Sequence, residues 1–351
     1  MENRIALYPL LSIAADWDDE PFDRSVLPVQ IVPTVTIEDA KSLFREDQFD
    51  WLTHHLSKQE LDTLKSIRYR LAIVHRYRPD EYDSGRGGKA DQKAEMLVRN
   101  AAACLRLIRP TGQTAGFMRG TEKVDLTFDE DHFENPTAFV NVPDVQRLFS
   151  LRNRDITRLQ TIAQKFLEAM SGEFWKFRMS VELHEAGHFS HTFWKARFSL
   201  WCSALEALFT SNTPDHKGSL VARERIKWFL GPHTPIYPPG DIPLIAEQSS
   251  LTIEDVIGDL YELRNSVAHG DKTPAKFYEE KRQSLSESVR LVEVLHEATS
   301  FIIRASLLKI LEDDLLEHFA NGPASDSYFG SKGLTGSMLR KSLSDQTQEA
   351  L

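Results

Sequence analysis

The chain has 351 residues, 41% of them hydrophobic and 27% charged, and a formal net charge of −10. That length exceeds what one core usually serves and predicts two domains of ordinary globular composition. The acidic balance excludes bulk attraction to nucleic acid, so any RNA or DNA site must be a local basic patch.

The first residues, MENRIALYPLLSIAADWDDE, hold a short apolar run from Ile5 to Ala15. Glu2 offsets Arg4, Pro9 interrupts the run and acids follow at once, which argues against a secretory signal. No apolar run approaches the roughly 18 to 20 residues that span a bilayer. Cys104 and Cys202 both fall inside apolar helical patterns without a CxxC partner, so they read as small buried hydrophobes in a reducing, cytoplasmic setting. No membrane association is expected.

Residues 1–150 predict an α+β accessory domain. VLPVQIVPTVTI is β-branched and punctuated by proline, as an edge strand or two short strands would be. SKQELDTLKSIRYRLAIVHRY (57–77) predicts a helix. SGRGGK (84–89) predicts a loop; it is too short for a phosphate-binding P-loop, and Ala90 stands where Ser or Thr would be needed. QKAEMLVRNAAACLRLIRPTG predicts a helix ending at Pro110 and Gly112. VDLTFDEDHFENP predicts a solvated acidic loop.

Residues 151–319 predict a bundle of four main helices. RDITRLQTIAQKFLEAM and FWKARFSLWCSALEALFTSN carry helical spacing, and SNTPDHKG breaks the second. SLVARERIKWFLGP is a short basic helix. TIEDVIGDLYELRNSVAHG opens with Thr252 and Asp255 at capping-box spacing, and the longest helix is expected from about Phe277 to Phe319. Residues 320–351 are rich in Ser and Gly and predict a flexible tail.

Two stretches carry chemistry. In HEAGH, His184 and His188 share one helix face, the arrangement that holds zinc with Glu185 as general base. The longer zinc-peptidase form fails, because His191 and Trp194 occupy the places of its Gly and third His. The alternative is a histidine-rich connection between helices, with His184, His188 and His191 near a substrate face. In the TIEDV helix, Ile253, Val256, Ile257, Leu260, Tyr261 and Val267 form one apolar face, and Arg264 falls in its middle. A guanidinium does not lose its charge, so it needs a carboxylate such as Glu206 or an anion from outside. His269 lies five residues on, about 140° away on a regular helix. For the two to act together, the helix must end between them or a second subunit must complete the site; Gly270, Asp271 and Pro274 provide a stop.

LRNSVAHGD resembles the R-N-x-x-x-H-G signature of HEPN domains of the Apea-like group. RFSLWCSALEALF and ARERIKWFLG are similar to two further helices of that group, in the same order. The resemblance implies a mainly α chain: a C-terminal HEPN-type bundle behind an α+β domain that senses or restrains. It also implies metal-independent RNA cleavage to a 2′,3′-cyclic phosphate at a two-fold interface, with no cofactor. Arg264 would bind the scissile phosphate, His269 would be the general acid/base, Asn265 would orient either of them, and Glu206 would orient Arg264. Lys217, Arg223, Arg225 and Lys227 would form the local basic patch that RNA requires. The expected partners are RNA, a second copy or larger assembly, and a regulatory or phage-derived protein. The expected role is a toxin or an antiphage, abortive-infection effector. A non-catalytic RNA- or protein-binding HEPN module is the second reading, and an HExxH zinc peptidase the third.

Overall fold

The computed structural model describes residues 4–10, 26–39, 71–78, 89–109, 118–121, 127–128, 153–189, 194–210, 218–236, 251–269, 285–335 and 337–339. The chain is mainly helical, and its described strands all lie in the N-terminal unit. It divides into two compact units, Met1–Glu168 and Ala169–Leu351.

In the first unit, strands β1 (Arg4–Leu10), β2 (Val29–Val32), β3 (Val35–Asp39), β4 (Leu71–Tyr77), β5 (Met118–Thr121) and β6 (Thr127–Phe128) form one sheet in the order β2-β3-β4-β1-β5-β6. Every pairing is antiparallel. VLPVQIVPTVTI supplies the β2–β3 hairpin at one edge, as its punctuation predicts. The start of the chain, which carried no strand assignment, pairs with both β4 and β5.

The helix expected over 57–77 is corrected at its second half. Leu71–Tyr77 is a strand lying between β3 and β1, and residues 57–70 lie outside the described residues. Leu71, Ala72, Ile73 and Val74 are all buried. A strand covered on both faces is continuously apolar, so it lacks the alternation that distinguishes a strand from a helix. Helix α1 (Lys89–Ile108) forms as predicted and packs on β1 and β4, with Cys104 buried in its core face.

Helix α2 (Asn153–Ser171) also forms where its spacing predicts, but most of it belongs to the first unit. A boundary at 150/151 would make it the first bundle helix; the units divide between Glu168 and Ala169 instead. Arg109, just past α1, donates from Nε to Asp155 at 2.6 Å with both side chains buried, and Gln160 Nε2 donates to the Gln30 carbonyl.

The second unit contains α3 (Trp175–Phe189), α4 (Trp194–Phe209), α5 (Gly218–Leu230), α6 (Ile253–His269), α7 (Leu285–Glu312), a 3-10 turn at Leu316–Phe319 and α8 (Gly322–Gly330). α4 is central and touches α3, α5, α6 and α7. Asp255 accepts from both the backbone N–H and the hydroxyl of Thr252, as the capping spacing predicts, and those bonds hold its carboxyl below the usual range.

Two further expectations are corrected here. The longest helix stops at Glu312, not Phe319: Asp314 adopts a left-handed φ of 57°, and the Leu315 N–H reaches back to the Ile310 carbonyl. That is the six-to-one closure of a Schellman end, and aspartate is among the residues that accept it. The front of the expected tail is also structured. Asn321 caps α8 by accepting from the Ala324 N–H, and Phe329 enters an aromatic cluster with Phe209, Phe229 and Phe319.

Candidate functional site

The apolar face of α6 forms as its spacing requires. Ile253, Val256, Ile257, Leu260, Tyr261 and Leu263 are buried, and Val267 is half-buried. Arg264 sits among them with 29% of its side chain exposed. It reaches α4, where Leu205, Leu208 and Phe209 point into the core and leave Glu206 at the margin, 22% exposed. Arg264 Nη2 donates to the Glu206 carboxylate at 3.0 Å, and Nη1 lies 3.4 Å from Asn265 Oδ1. The structure therefore brings Arg264, Glu206 and Asn265 together. The rest of the guanidinium has no other partner among the described residues.

α6 stays helical through His269, its last residue. Of the two conditions for joint action, a helix end between Arg264 and His269 is not met, which leaves completion by a second subunit. Five residues of unbroken helix carry the two positions to faces about 140° apart.

Among the described residues, the expected basic patch does not gather its charges on one face. Arg225 is 1% exposed, so its assignment to RNA is corrected. Its Nη2 donates to Asp326, Nη1 to the Phe209 carbonyl and Nε to the Leu334 carbonyl, and its guanidinium lies over the Phe329 ring. It fastens α8 to α5. Lys227 is neutralised by Glu224 and Glu254, whose hydrogen bonds raise its pKa against the effect of its burial. Lys217 lies outside the described residues. Arg223 alone remains without an acceptor among the described residues, its Nε buried.

The HEAGH stretch is a true helix, part of α3, and not a connection. Its first histidine faces inward. His184 is fully buried, with Nε2 3.3 Å from Ser300 Oγ on α7 and the Trp201 ring beside it. Trp201 Nε1 donates to the His184 carbonyl at 3.0 Å. A Cβ on Gly187 would stand 2.3 Å from that indole nitrogen. The glycine and the histidine are thus the floor on which Trp201 packs, and Arg197 closes the edge by donating to the Gly187 carbonyl. His184 is enclosed between Ser300 and Trp201, and among the described residues no group of three His, Cys, Asp or Glu comes together. Glu185 is half-buried, the His188 side chain is not among those described, and His191 lies outside the described residues.

Three features had no sequence signal strong enough to find them. Lys176 is buried on α3, donates to the Thr210 carbonyl, and is pushed down to about 8 by burial, with Asp326 opposing and Arg225 adding to the shift. His296 packs 4.4 Å from Trp201 and is pushed down to about 3 by burial and the nearby Arg197 charge. Tyr261 is fully buried and its hydroxyl has no hydrogen-bond partner among the described residues. Only Arg225 was open to the reasoning applied to Arg264, since it falls on the Ala222–Ile226–Phe229 face of its own helix.

Comparison with family models, with curated proteins and with solved structures gave no match.

Proposed function

We propose that this chain is a metal-independent endoribonuclease of the HEPN type, acting as a dimer or larger assembly. The observation that supports it best is the Arg264–Glu206–Asn265 group: a permanent cation on an otherwise apolar helix face, aimed by a carboxylate and still open to solvent.

In this reading Arg264 neutralises the charge that develops on the scissile phosphate. His269 takes the proton from the ribose 2′-OH; O2′ attacks phosphorus, the P–O5′ bond breaks, and a protonated imidazole returns a proton to the leaving O5′. The products are a 2′,3′-cyclic phosphate and a 5′-hydroxyl. Because α6 is unbroken between Arg264 and His269, one chain does not aim both at one phosphate. A second copy supplies the missing half across a two-fold axis. The same unbroken helix favours the second reading, a non-catalytic binding module, if the chain is a monomer. A toxin or antiphage role rests on the resemblance of LRNSVAHGD alone.

The test is cleavage of end-labelled single-stranded RNA and a tRNA pool in EDTA by wild type, His269→Ala and Arg264→Ala, with the assembly state measured alongside. Cleavage that both variants abolish, by an oligomer, supports the proposal. Wild-type cleavage unaffected by either variant refutes it, and full activity from a monomer refutes the shared site.

A further inference from the structure

Of the basic residues expected to meet RNA, Arg225 and Lys227 are spent within the fold, and Arg223 lies along α6, its Nη2 3.7 Å from where a Cβ on Gly258 would stand. The large side chain of α5 that faces water is Trp228, 42% exposed, although the ordinary place of an indole is in a core. Two residues of α8 hold it, Tyr328 at 5.9 Å and Phe329 at 6.1 Å between ring centroids. Both rings meet the indole steeply, at 73° and 84°, so they fix it without stacking on it. Tyr328 in turn carries the exposed His318 ring, stacked on it at 4.5 Å, and Phe319 and Phe329 back the phenol. His318, Tyr328 and Trp228 thus form a row of three rings that is anchored by phenylalanines and reaches solvent at both ends.

The charges around this row leave one cation free. Lys309 is paired with Asp313, Lys227 with Glu224 and Glu254, and Arg225 with Asp326. Lys332 has no carboxylate partner among the described residues, and its Nζ lies over the Trp228 ring, 5.9 Å from the centroid. A fixed π-surface takes a flat ring, and a free ammonium beside it takes an anion. A nucleotide carries both, base and phosphate, on one sugar. Glu312 and Glu317 are exposed on the same segment as His318, so the region is not basic as a whole and most of the affinity must come from stacking.

We propose that Trp228, Tyr328, His318 and Lys332 form a stacking platform for single-stranded RNA. One base lies on the Trp228 indole, Lys332 turns from that ring to the adjoining phosphate, and a neighbouring base meets the His318–Tyr328 pair. This rests on the ribonuclease reading and gives it a substrate surface built from α5, α8 and the 3-10 turn, outside the signature helix.

The probe is a fluorescent 2′-O-methyl oligoadenylate, which keeps bases and phosphates and cannot be cleaved, beside an abasic oligomer of the same length and charge. Kd is measured over a salt series for wild type, Trp228→Leu, Trp228→Phe, Lys332→Gln and, as a control for lost surface charge, Arg178→Gln. Trp228→Leu should raise Kd by about fivefold or more, the loss of one stacked base. Trp228→Phe should recover part of that, because a smaller ring remains. Lys332→Gln should flatten the slope of log K against log salt by about 0.7, the loss of one phosphate contact on a single strand. Arg178→Gln should match wild type, the abasic oligomer should bind far more weakly than the oligoadenylate, and AMP should compete only far above the strand's concentration. Bound bases should also quench Trp fluorescence, and Trp228→Phe should remove that quenching. Lys332 is exposed, so Lys332→Gln and the abasic comparison decide the matter should Trp228→Leu fail to fold. Wild-type affinity in folded Trp228→Leu, an unchanged salt slope in Lys332→Gln, equal binding of the abasic oligomer, or displacement by AMP at equal concentration each overturns the platform and leaves the ribonuclease reading standing; the first result frees the rings for a protein partner. A wild type that neither binds this RNA nor cleaves its 2′-hydroxyl counterpart overturns both.

Discussion

Gly187→Ala is the sharpest test of how the second unit is packed. At an ordinary helix position this substitution stabilises by about 0.5–1 kcal/mol, because alanine loses less conformational entropy on folding. Here the added methyl would stand 2.3 Å from Trp201 Nε1 and 2.5 Å from its Cδ1, far inside any tolerated separation. The indole cannot swing clear, being 3% exposed and packed against His296 at 4.4 Å. Overpacking of this kind costs about 1–3 kcal/mol. Displacing the ring also breaks its bond to the His184 carbonyl, for about 1 kcal/mol more. After the helix-propensity gain, the net loss is about 1–3.5 kcal/mol. For a unit of this size that lowers the thermal midpoint by several degrees. The assay is thermal unfolding followed by circular dichroism, with Trp fluorescence reporting the indole. An unchanged or raised midpoint would refute the packing argument outright, since the bare propensity effect has the opposite sign.

Asp326→Ala should destabilise by about 3 kcal/mol, measured by urea unfolding, because it leaves Arg225 buried without its carboxylate and Lys176 without the charge that holds its proton; loss of α8 should appear as early proteolysis after residue 320. Tyr261→Phe should raise stability by about 1 kcal/mol, because it removes a buried hydroxyl that bonds to no described residue, and a loss of stability of that size by urea unfolding would show that the hydroxyl has a partner. His296 should make the fold acid-sensitive. Its folded pKa, about 3, lies below the value of about 6.5 expected when unfolded, so its contribution is present above 6.5 and is lost as pH falls toward 3, by up to about 1.4 kcal/mol per pH unit. His296→Leu should flatten the dependence of urea midpoint on pH between 7 and 4.5; an unaltered dependence would discount this histidine.

What was legible in the sequence follows from where polar residues fall. α1, α2, α4, α5 and α6 carry apolar faces at helical spacing and form where that spacing puts them. α3 was missed because its pattern is inverted: Lys176 and His184 point inward while Trp175 and Met179 are 42% and 39% exposed. β4 was misread because both of its faces are covered, and α8 because a Ser/Gly-rich run reads as a tail until Phe329 finds a slot among three other phenylalanines. The Arg264–Glu206 pair was foreseeable from one charge on one apolar face. The place of Arg223 over Gly258 was not, since it depends on how α5 crosses α6.

Arg225 and Arg264 show why a misplaced charge must be followed to its acceptors before it is given a role. Both stand on apolar helix faces, and the sequence offers the same argument for each. All three nitrogens of Arg225 are engaged, by Asp326 and by two carbonyls, and a phenyl ring covers what is left. Its charge is satisfied within the fold, so it acts as a fastener, and an RNA phosphate would have to break three bonds to reach it. Arg264 is fixed by one carboxylate and touched by one amide oxygen, and its side chain keeps a face to solvent. Glu206 thus orients the guanidinium without exhausting it, which is the state an anion site requires before its ligand arrives. Exchanging the two substitutions should therefore separate their roles. Arg225→Gln should lower stability and leave RNA affinity unchanged in whatever fraction stays folded. On the ribonuclease proposal, Arg264→Gln should lose RNA affinity and cleavage with little change in thermal midpoint, because the side chain it truncates is partly solvated already. A reversal of that pattern would place the functional arginine on α5.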